Sequence, residues 1–222
     1  MPRSFVIGDI HGNYKPMMEL FRKVRFDYEN DLLISLGDLV DRGPEPVKVV
    51  EELMKLRNFI YILGNHDYLC FEYLRSRIRS ADWLFQGGQA TVTDYKNHPE
   101  AVKRHPDFYA SARLYHIDKK NRLFVHAGYD RFRPFANQKK DILTLLWDRS
   151  LYRVASEYEQ EGKTFEEFSE IYIGHSPTQL IMRDQPTQLA NLWMMDTGAG
   201  HRRLLSLMDL DTKEFWQNKC DF

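Results

Sequence analysis

The first third of the chain alternates short apolar runs with segments of helical periodicity. The runs "SFVIGD", "DLLISLGD" and "NFIYILGN" are rich in apolar, β-branched and aromatic residues, which favours buried strands. Apolar residues at helical spacing predict helices over about 13–24, 45–57 and 66–79, and Pro44 and Pro46 stand where the second helix begins. The resulting order is βαβαβ, which predicts a parallel sheet.

The rest of the chain has a different pattern. Residues 81–111 have weak periodicity and contain Pro99 and Pro106, so we predict a region of loops and helices there. The stretch "RLYHIDKKNRLFVHAG" alternates and turns at residues 119–121, which predicts a hairpin. Three later runs, "EIYIGHS", "NLWMMDTG" and "RLLSLMDLDTKEFWQ", predict further strands. Parallel units followed by hairpins indicate an α/β (α+β mixed) fold of two mixed sheets, packed together and flanked by helices.

Composition narrows the classes of partner. No repeat or linker-like tract divides the 222 residues, and we predict a single domain over residues 1–222. The 31 basic and 32 acidic side chains leave a net charge of -1, which disfavours nucleic acid or a membrane surface as a partner. The longest apolar run, near residues 32–36, is far shorter than the ~20 residues that cross a bilayer. Cys70 and Cys220 lack metal-like spacing, and no leader-like segment is visible, so we expect a reducing, cytoplasmic setting. For the oligomeric state, a monomer is the favoured expectation.

Polar residues of the metal-ligand type follow the predicted strands repeatedly. Apolar runs end at a small residue and then continue as "GDIHG", "GDLVDRG", "GNHD", "HAG" and "GHS". A single Asp after a strand is usually a turn or cap residue, but independent caps would not recur at five strand ends. The carboxyl ends of strands in open α/β sheets are where ligands bind. We therefore expect one shared metal site built from Asp9, His11, Asp38, Asn65, His66, His126 and His175.

The donor set indicates the kind of metal. Carboxylate, imidazole and amide oxygen without thiolate suit intermediate divalent ions, with Mn²⁺ as the first choice and Fe or Zn²⁺ as alternatives. The set is too large for one tetrahedral ion and suits two. Two ions about 3.5–4 Å apart, joined by a carboxylate, are the apparatus of phosphoester hydrolysis.

These motifs, in this order and at these separations, resemble the phosphoprotein phosphatase family of calcineurin-like metallophosphoesterases. The stretches "DLLISLGDLVDRG", "LLWDRS" and "YIGHSP" together with "MMDTGAG" resemble bacterial and phage-type members in particular. The resemblance spans about residues 5–200. It implies the metallophosphoesterase β-sandwich, with the site at the carboxyl ends of the strands.

The resemblance also implies a role for each matching residue. Asp9 and His11 would hold the first metal ion, Asp38 would bridge, and Asn65, His126 and His175 would hold the second. Hydroxide bound between the two ions would attack phosphorus directly. His66 would donate a proton to the leaving group, Asp41 would orient His66, and Arg42 and Arg149 would bind phosphate oxygens.

The substrate class stays open at this point. The first expectation is a phosphatase acting on phosphoserine and phosphothreonine in phosphoproteins or phosphopeptides. The alternative is a symmetrical diadenosine tetraphosphatase, which typically carries a small residue in place of Asp41. The second acid favours the protein phosphatase, whereas "GNHD" instead of the "GNHE" of many protein phosphatases weakens that inference. An inactive scaffold is a distant third, because every matching ligand position is filled.

Three remaining histidines and the tryptophans have plainer interpretations. His98, His105 and His116 stand in polar or hairpin contexts, and we predict that water solvates them. Trp83 and the other tryptophans are predicted to lie in the core or at a rim. His201 follows "DTGAG", close to the expected site.

Overall fold

Ten strands form two mixed sheets in the computed structural model, which describes residues 2–221. The first sheet has the order β10-β9-β1-β2-β3. Its strands are β1 (Ser4–Ile7), β2 (Leu32–Ser35), β3 (Asn58–Tyr61), β9 (Leu204–Asp209) and β10 (Phe215–Lys219). β1, β2 and β3 are parallel, while β9 and β10 continue the sheet as antiparallel strands.

The second sheet has the order β4-β5-β6-β8-β7. Its strands are β4 (Tyr115–Ile117), β5 (Arg122–Val125), β6 (Glu170–Ile173), β7 (Thr187–Leu189) and β8 (Leu192–Met194). β5, β6 and β8 are parallel, and the edge strands β4 and β7 are antiparallel to their neighbours. Each sheet therefore contains three parallel strands whose carboxyl ends lie at one edge.

Eight α-helices surround the sheets within residues 2–221. They are α1 (Tyr14–Lys23), α2 (Pro46–Leu53), α3 (Asn65–Ser76), α4 (Ala81–Trp83), α5 (Gln89–Asn97), α6 (Ala101–Ala110), α7 (Ile142–Trp147) and α8 (Leu151–Glu161). A wide helical turn over Leu84–Gly88 joins α4 to α5. No helix within residues 2–221 is both long enough and apolar enough to span a membrane.

The central strands β1, β2, β5 and β6 are buried on both faces, which explains why they are so apolar. Successive side chains point to opposite faces. Val6 and Ile34 of the first sheet meet Phe124 and Tyr172 of the second in a layer between the sheets. Their neighbours along the strands face outward into two further cores beneath the helices. The result is the predicted sandwich of two mixed sheets flanked by helices.

The predicted elements are present with small shifts of their ends. The helix predicted over 45–57 ends at Leu53, and the one predicted over 66–79 begins at Asn65 and ends at Ser76. Residues 81–111 are mostly helical, and Pro106 lies inside α6. The prediction that His105 is solvated was wrong. Its side chain is fully buried and its Nδ1 bonds to the hydroxyl of Tyr95 at 2.7 Å.

Candidate metal centre

Loops that follow the parallel strands converge on a narrow cavity of about 60 Å³. Five of the residues predicted to bind metal line it, as do the predicted phosphate-binding arginines and His66. The lining consists of Asp9, His11, Asp38, Arg42, Asn65, His66, Gln86, Arg149, His175, Pro177, Asp196 and His201. The remaining predicted ligand, His126, lies behind this lining and is fully buried.

One group of possible metal ligands consists of His11, Asp38 and His66, whose ligand atoms lie within 4.8 Å of one another. His11 Nε2 is 3.6 Å from Asp38 Oδ2. On the other side of the ring, His11 Nδ1 donates to the carbonyl oxygen of Val40 at 2.8 Å. A carbonyl oxygen can only accept, so the Nε2 of neutral His11 carries a lone pair, and a guanidinium nitrogen of Arg42 lies 3.0 Å from it.

A second group shares Asp38 and adds His126 and His175. His126 Nε2 is 3.4 Å from Asp38 Oδ1, and its Nδ1 donates to the carbonyl oxygen of Leu36 at 2.7 Å. Asn65 Oδ1 stands 3.0 Å from both His126 Nε2 and His175 Nδ1. Asp38 thus lies between two sets of ligands, which is where a bridging carboxylate is needed.

Two further carboxylates crowd the same cavity. Asp9 accepts from the backbone N–H of His175, with distances of 3.2 and 3.1 Å to its two oxygens. Burial, and then the charges of Asp196 and Asp38, raise the pKa of Asp9 well above its usual range. Burial also raises the pKa of Asp196 to about 6. Buried carboxylates so close together are costly unless a cation accompanies them.

The imidazoles are held in the form that binds metal. Burial lowers the pKa of His11 well below its ordinary value, and the charge of Arg42 lowers it further. Burial likewise lowers the pKa of His126, and it lowers that of His175 to about 3. These rings are therefore neutral at pH 7, as ligands must be.

The residues present fit a divalent metal centre. Because His126 Nδ1 donates to the carbonyl oxygen of Leu36, its Nε2 lone pair faces Asn65 Oδ1 at 3.0 Å, so this cluster brings two acceptor atoms together as a cation requires. Together with clustered carboxylates and neutral imidazoles, it forms an oxygen and nitrogen donor set suited to Mn²⁺, Fe or Zn²⁺. The geometry places Asp9 outside the two compact groups, although its carboxylate lines the same cavity.

Asp41 and His66 form a buried pair beside this centre. His66 Nδ1 donates to Asp41 Oδ2 at 2.6 Å, and both side chains are almost fully buried. Burial opposes a charge on His66, but the carboxylate of Asp38 and the hydrogen bond to Asp41 outweigh it and raise the pKa of His66. The Nε2 atom of His66 faces the cavity, where a guanidinium nitrogen of Arg42 lies 3.1 Å from it.

Two arginines supply positive charge at the mouth of the cavity. The two terminal nitrogens of Arg42 lie 3.0 Å from His11 Nε2 and 3.1 Å from His66 Nε2. These contacts hold the guanidinium beside the candidate metal centre. Arg149 is exposed, in the loop between α7 and α8, and reaches the same cavity. Both side chains can bind phosphate oxygens with paired N–H donors.

Sequence reasoning missed Asp196, Gln86 and Asp67. Asp196 follows β8 as the other ligands follow their strands, so the signal was present in "WMMDTG", although no glycine marks it. Gln86 belongs to a region without clear periodicity. Asp67, the last residue of "GNHD", accepts from the backbone N–H of Leu39 at 2.8 Å and so ties the start of α3 to the loop that carries Asp38.

Comparison with known proteins places the chain in a family. The model for calcineurin-like phosphoesterases matches residues 2–198. Serine/threonine-protein phosphatase 1 of Salmonella typhimurium is 28% identical over 200 residues, covering 88% of this chain and 86% of that protein. A symmetrical bis(5'-nucleosyl)-tetraphosphatase of Wigglesworthia glossinidia brevipalpis is 31% identical over 144 residues, covering 61% and 50%.

A comparison of structures agrees at the level of the fold. A solved structure assigned to a diadenosine tetraphosphatase matches with a TM-score of 0.68 at 20% identity, covering 99% of this chain and 96% of the other. At that identity the match speaks for the fold, not the substrate. Because the family model covers nearly all of the sequence and the site has the donors that such enzymes need, this chain belongs to the calcineurin-like phosphoesterase family.

Proposed function

We propose that this metallophosphoesterase is a metal-dependent serine/threonine protein phosphatase that hydrolyses phosphomonoesters in proteins. The observation that carries the proposal is the 2.6 Å bond between Asp41 and His66 at the edge of the metal centre. The resemblance implies that symmetrical tetraphosphatases typically carry a small residue at position 41, so the acid found here favours a protein phosphatase. The Salmonella phosphatase, which matches over 88% of this chain, supports the same class.

The proposed metal sites divide the ligands as the resemblance suggests. Asp9 and His11 would hold one ion, Asn65, His126 and His175 would hold the other, and Asp38 would be shared between them. When bound, two Mn²⁺ ions would supply Lewis-acid chemistry and a lowered pKa of bound water. The neutral imidazoles and the facing acceptor atoms of Asn65 and His126 support this assignment.

The protein's own groups then act on the substrate. Arg42 and Arg149 bind the non-bridging oxygens of the phosphoryl group and stabilise the charge that builds on them. Protonated His66 donates its Nε2 proton to the serine or threonine oxygen as the P–O bond breaks, and is left neutral. Asp41 keeps the ring in the orientation that points Nε2 at the leaving group. The raised pKa of His66 supports this role, because it favours the protonated ring.

The alternative is a symmetrical dinucleoside polyphosphate hydrolase. One observation favours it: the relative of that name from Wigglesworthia is 31% identical to this chain. Both activities need the same metal centre, so the ligands cannot distinguish them.

One experiment separates the two functions. The values of kcat/KM are measured for phosphoserine, phosphothreonine and phosphotyrosine peptides and for diadenosine tetraphosphate, in one Mn²⁺ buffer. We expect the phosphoserine and phosphothreonine peptides to be preferred by about tenfold or more, which corresponds to about 1.4 kcal/mol in transition-state binding. A preference for the dinucleotide would overturn the proposal. Asp38→Asn protein purified in parallel reports any contaminating phosphatase.

We further propose that the protein acts as a monomer on phosphoproteins in the cytoplasm. Cys70 and Cys220 are both free and buried, which supports a reducing compartment.

A further inference from the structure

Two side chains from the region 81–97, which is distant from Asp41 in sequence, hold the Asp41 side chain through hydrogen bonds. Trp83 Nε1 donates to Asp41 Oδ2 at 2.7 Å, and Thr91 Oγ1 donates to Asp41 Oδ1 at 2.5 Å. The backbone N–H of Asp41 donates in turn to Thr91 Oγ1 at 2.9 Å. Trp83 is 2% exposed, and Thr91 and Asp41 are fully buried, so these bonds are shielded from water.

The contacts fix the plane of the Asp41 carboxylate. One oxygen is held by Thr91, and the other is shared by Trp83 and by His66 Nδ1 at 2.6 Å. With a donor on each oxygen, the carboxylate cannot rotate without breaking a buried hydrogen bond. The orientation of the carboxylate fixes that of the His66 ring, because their bond is short and directional.

The same segment also holds the next residue, Arg42. The carbonyl oxygen of Gly87 accepts from the backbone N–H of Arg42 at 3.1 Å, and that of Gln86 accepts from Arg42 Nε at 3.4 Å. Gly87 has φ +113, and a Cβ on it would stand 2.5 Å from Arg42 Cγ. Only glycine allows the segment to approach so closely.

We propose that Trp83 and Thr91 are positioning residues for proton donation: they hold Asp41, and through it His66, in the geometry that delivers a proton to the leaving group. This inference rests on the proposed role of His66 as the proton donor. It goes beyond that role by assigning part of the catalytic geometry to the region 81–97, whose periodicity alone suggests nothing of the kind.

The test uses leaving groups that differ in their need for a proton. Thr91→Val and Trp83→Phe keep most of the side-chain volume and remove the donor. The Mn²⁺-loaded proteins are assayed with phenyl phosphate, whose leaving group is strongly basic, and with p-nitrophenyl phosphate, whose leaving group is weakly basic. We expect kcat for phenyl phosphate to fall about 10- to 100-fold with KM unchanged, and kcat for p-nitrophenyl phosphate to change little.

Matched control variants separate the loss of a hydrogen-bond donor to Asp41 from the general effect of the same substitution. Thr93 lies on the same helix and is exposed, and its hydroxyl bonds only to Gln89, donating to the carbonyl oxygen and accepting from Nε2, so Thr93→Val is the control for threonine. The indole N–H of Trp193 is buried without a partner in the described part of the chain, so Trp193→Phe is the control for tryptophan. Both controls should keep the ratio of kcat for phenyl phosphate to kcat for p-nitrophenyl phosphate at the value of the unmodified enzyme. Thr91→Ser, which keeps the hydroxyl, should also keep that value.

Each other outcome counts against a specific claim. Equal losses with both substrates in Thr91→Val and Trp83→Phe, or unfolding of both variants seen by circular dichroism, would assign the pair to stability and overturn the inference. His66→Asn serves as the reference. If His66→Asn loses activity on phenyl phosphate selectively while Thr91→Val and Trp83→Phe do not, only the positioning role of Trp83 and Thr91 fails. If His66→Asn shows no selective loss, the proposed role of His66 fails first.

Discussion

At the scale of single residues, the site is built on backbone that L-residues rarely adopt. His11, Asp38, Asp41, Arg42 and His175 all have φ between +47 and +71. Each such residue costs roughly 1–2 kcal/mol relative to the ordinary helical region. These positions turn the chain sharply just after a strand, so that side chains from neighbouring strand ends meet at one point. The strained backbone therefore occurs at the turns that place the candidate ligands and the Asp41–His66 pair.

Asp41→Asn is expected to lower kcat on a phosphoserine peptide by about 100-fold. The carboxylate accepts hydrogen bonds from His66, Trp83 and Thr91 on its two oxygens. An amide offers one acceptor oxygen, and its NH₂ group would face a donor, so at least one of these bonds is lost. The measurement is kcat together with the Mn²⁺ content of the purified protein, which should stay close to that of the unmodified enzyme.

Asp38→Asn gives the contrasting pattern. Asp38 belongs to both ligand groups, so this change should lower the metal content and the activity together. If Asp41→Asn also lost its metal in proportion to its activity, Asp41 would have a structural role instead.

At the scale of elements, the parallel strands explain why the site forms where it does. β1, β2 and β3 end before Asp9, Asp38 and Asn65, while β5 and β6 end before His126 and His175. Parallel strands of one sheet point the same way, so their carboxyl ends share an edge. Two sheets packed with these edges together bring five strand ends to one cavity.

This logic also shows how much the sequence could predict. The strand ends that are followed by a glycine and a polar residue could be predicted, because one short stretch of sequence contains both the strand and the candidate ligand. The bonds from Trp83 and Thr91 to Asp41 span 42 and 50 residues and connect a segment without clear periodicity to a loop. Only the packing of α4 and α5 brings these groups together, and no local rule describes it.

Gly174→Ala tests the close approach of two strand ends. A Cβ at Gly174 would stand 2.2 Å from Asp9 Oδ1, so the Asp9 carboxylate must move. We expect the affinity for Mn²⁺ to fall about 10- to 100-fold, as it does when groups that orient metal ligands are disturbed. The measurement is a titration of the metal-free protein with Mn²⁺, followed by activity.

Gly162→Ala is the control for this change. Gly162 ends α8 with φ +66, and a Cβ there would meet nothing within 4 Å. It should cost about 1–2 kcal/mol of stability through backbone strain and leave Mn²⁺ affinity unchanged. If Gly174→Ala bound Mn²⁺ as tightly as Gly162→Ala does, Asp9 would not be a ligand.

At the scale of the whole molecule, the candidate centre joins the two sheets. Asp9, His11 and Asp38 follow strands of the first sheet, and His126 and His175 follow strands of the second. The sheets otherwise meet through an apolar layer that includes Val6, Phe124 and Tyr172. A cation bound at the edge would therefore add a polar link to a packing that is mainly hydrophobic, and would offset the repulsion among its buried carboxylates.

Removal of metal should consequently affect both activity and stability. After chelation we expect hydrolysis of p-nitrophenyl phosphate to be lost and to return with Mn²⁺; unchanged activity would contradict a metal-dependent reaction. Because Mn²⁺ binds the folded site, a concentration 100 times its Kd should add about 2.7 kcal/mol to the free energy of unfolding. That corresponds to a rise in Tm of about 5–10 °C for a chain of this size. Thermal melts against Mn²⁺ concentration measure the rise, and Asp38→Asn, which lacks the shared carboxylate, should show a much smaller one.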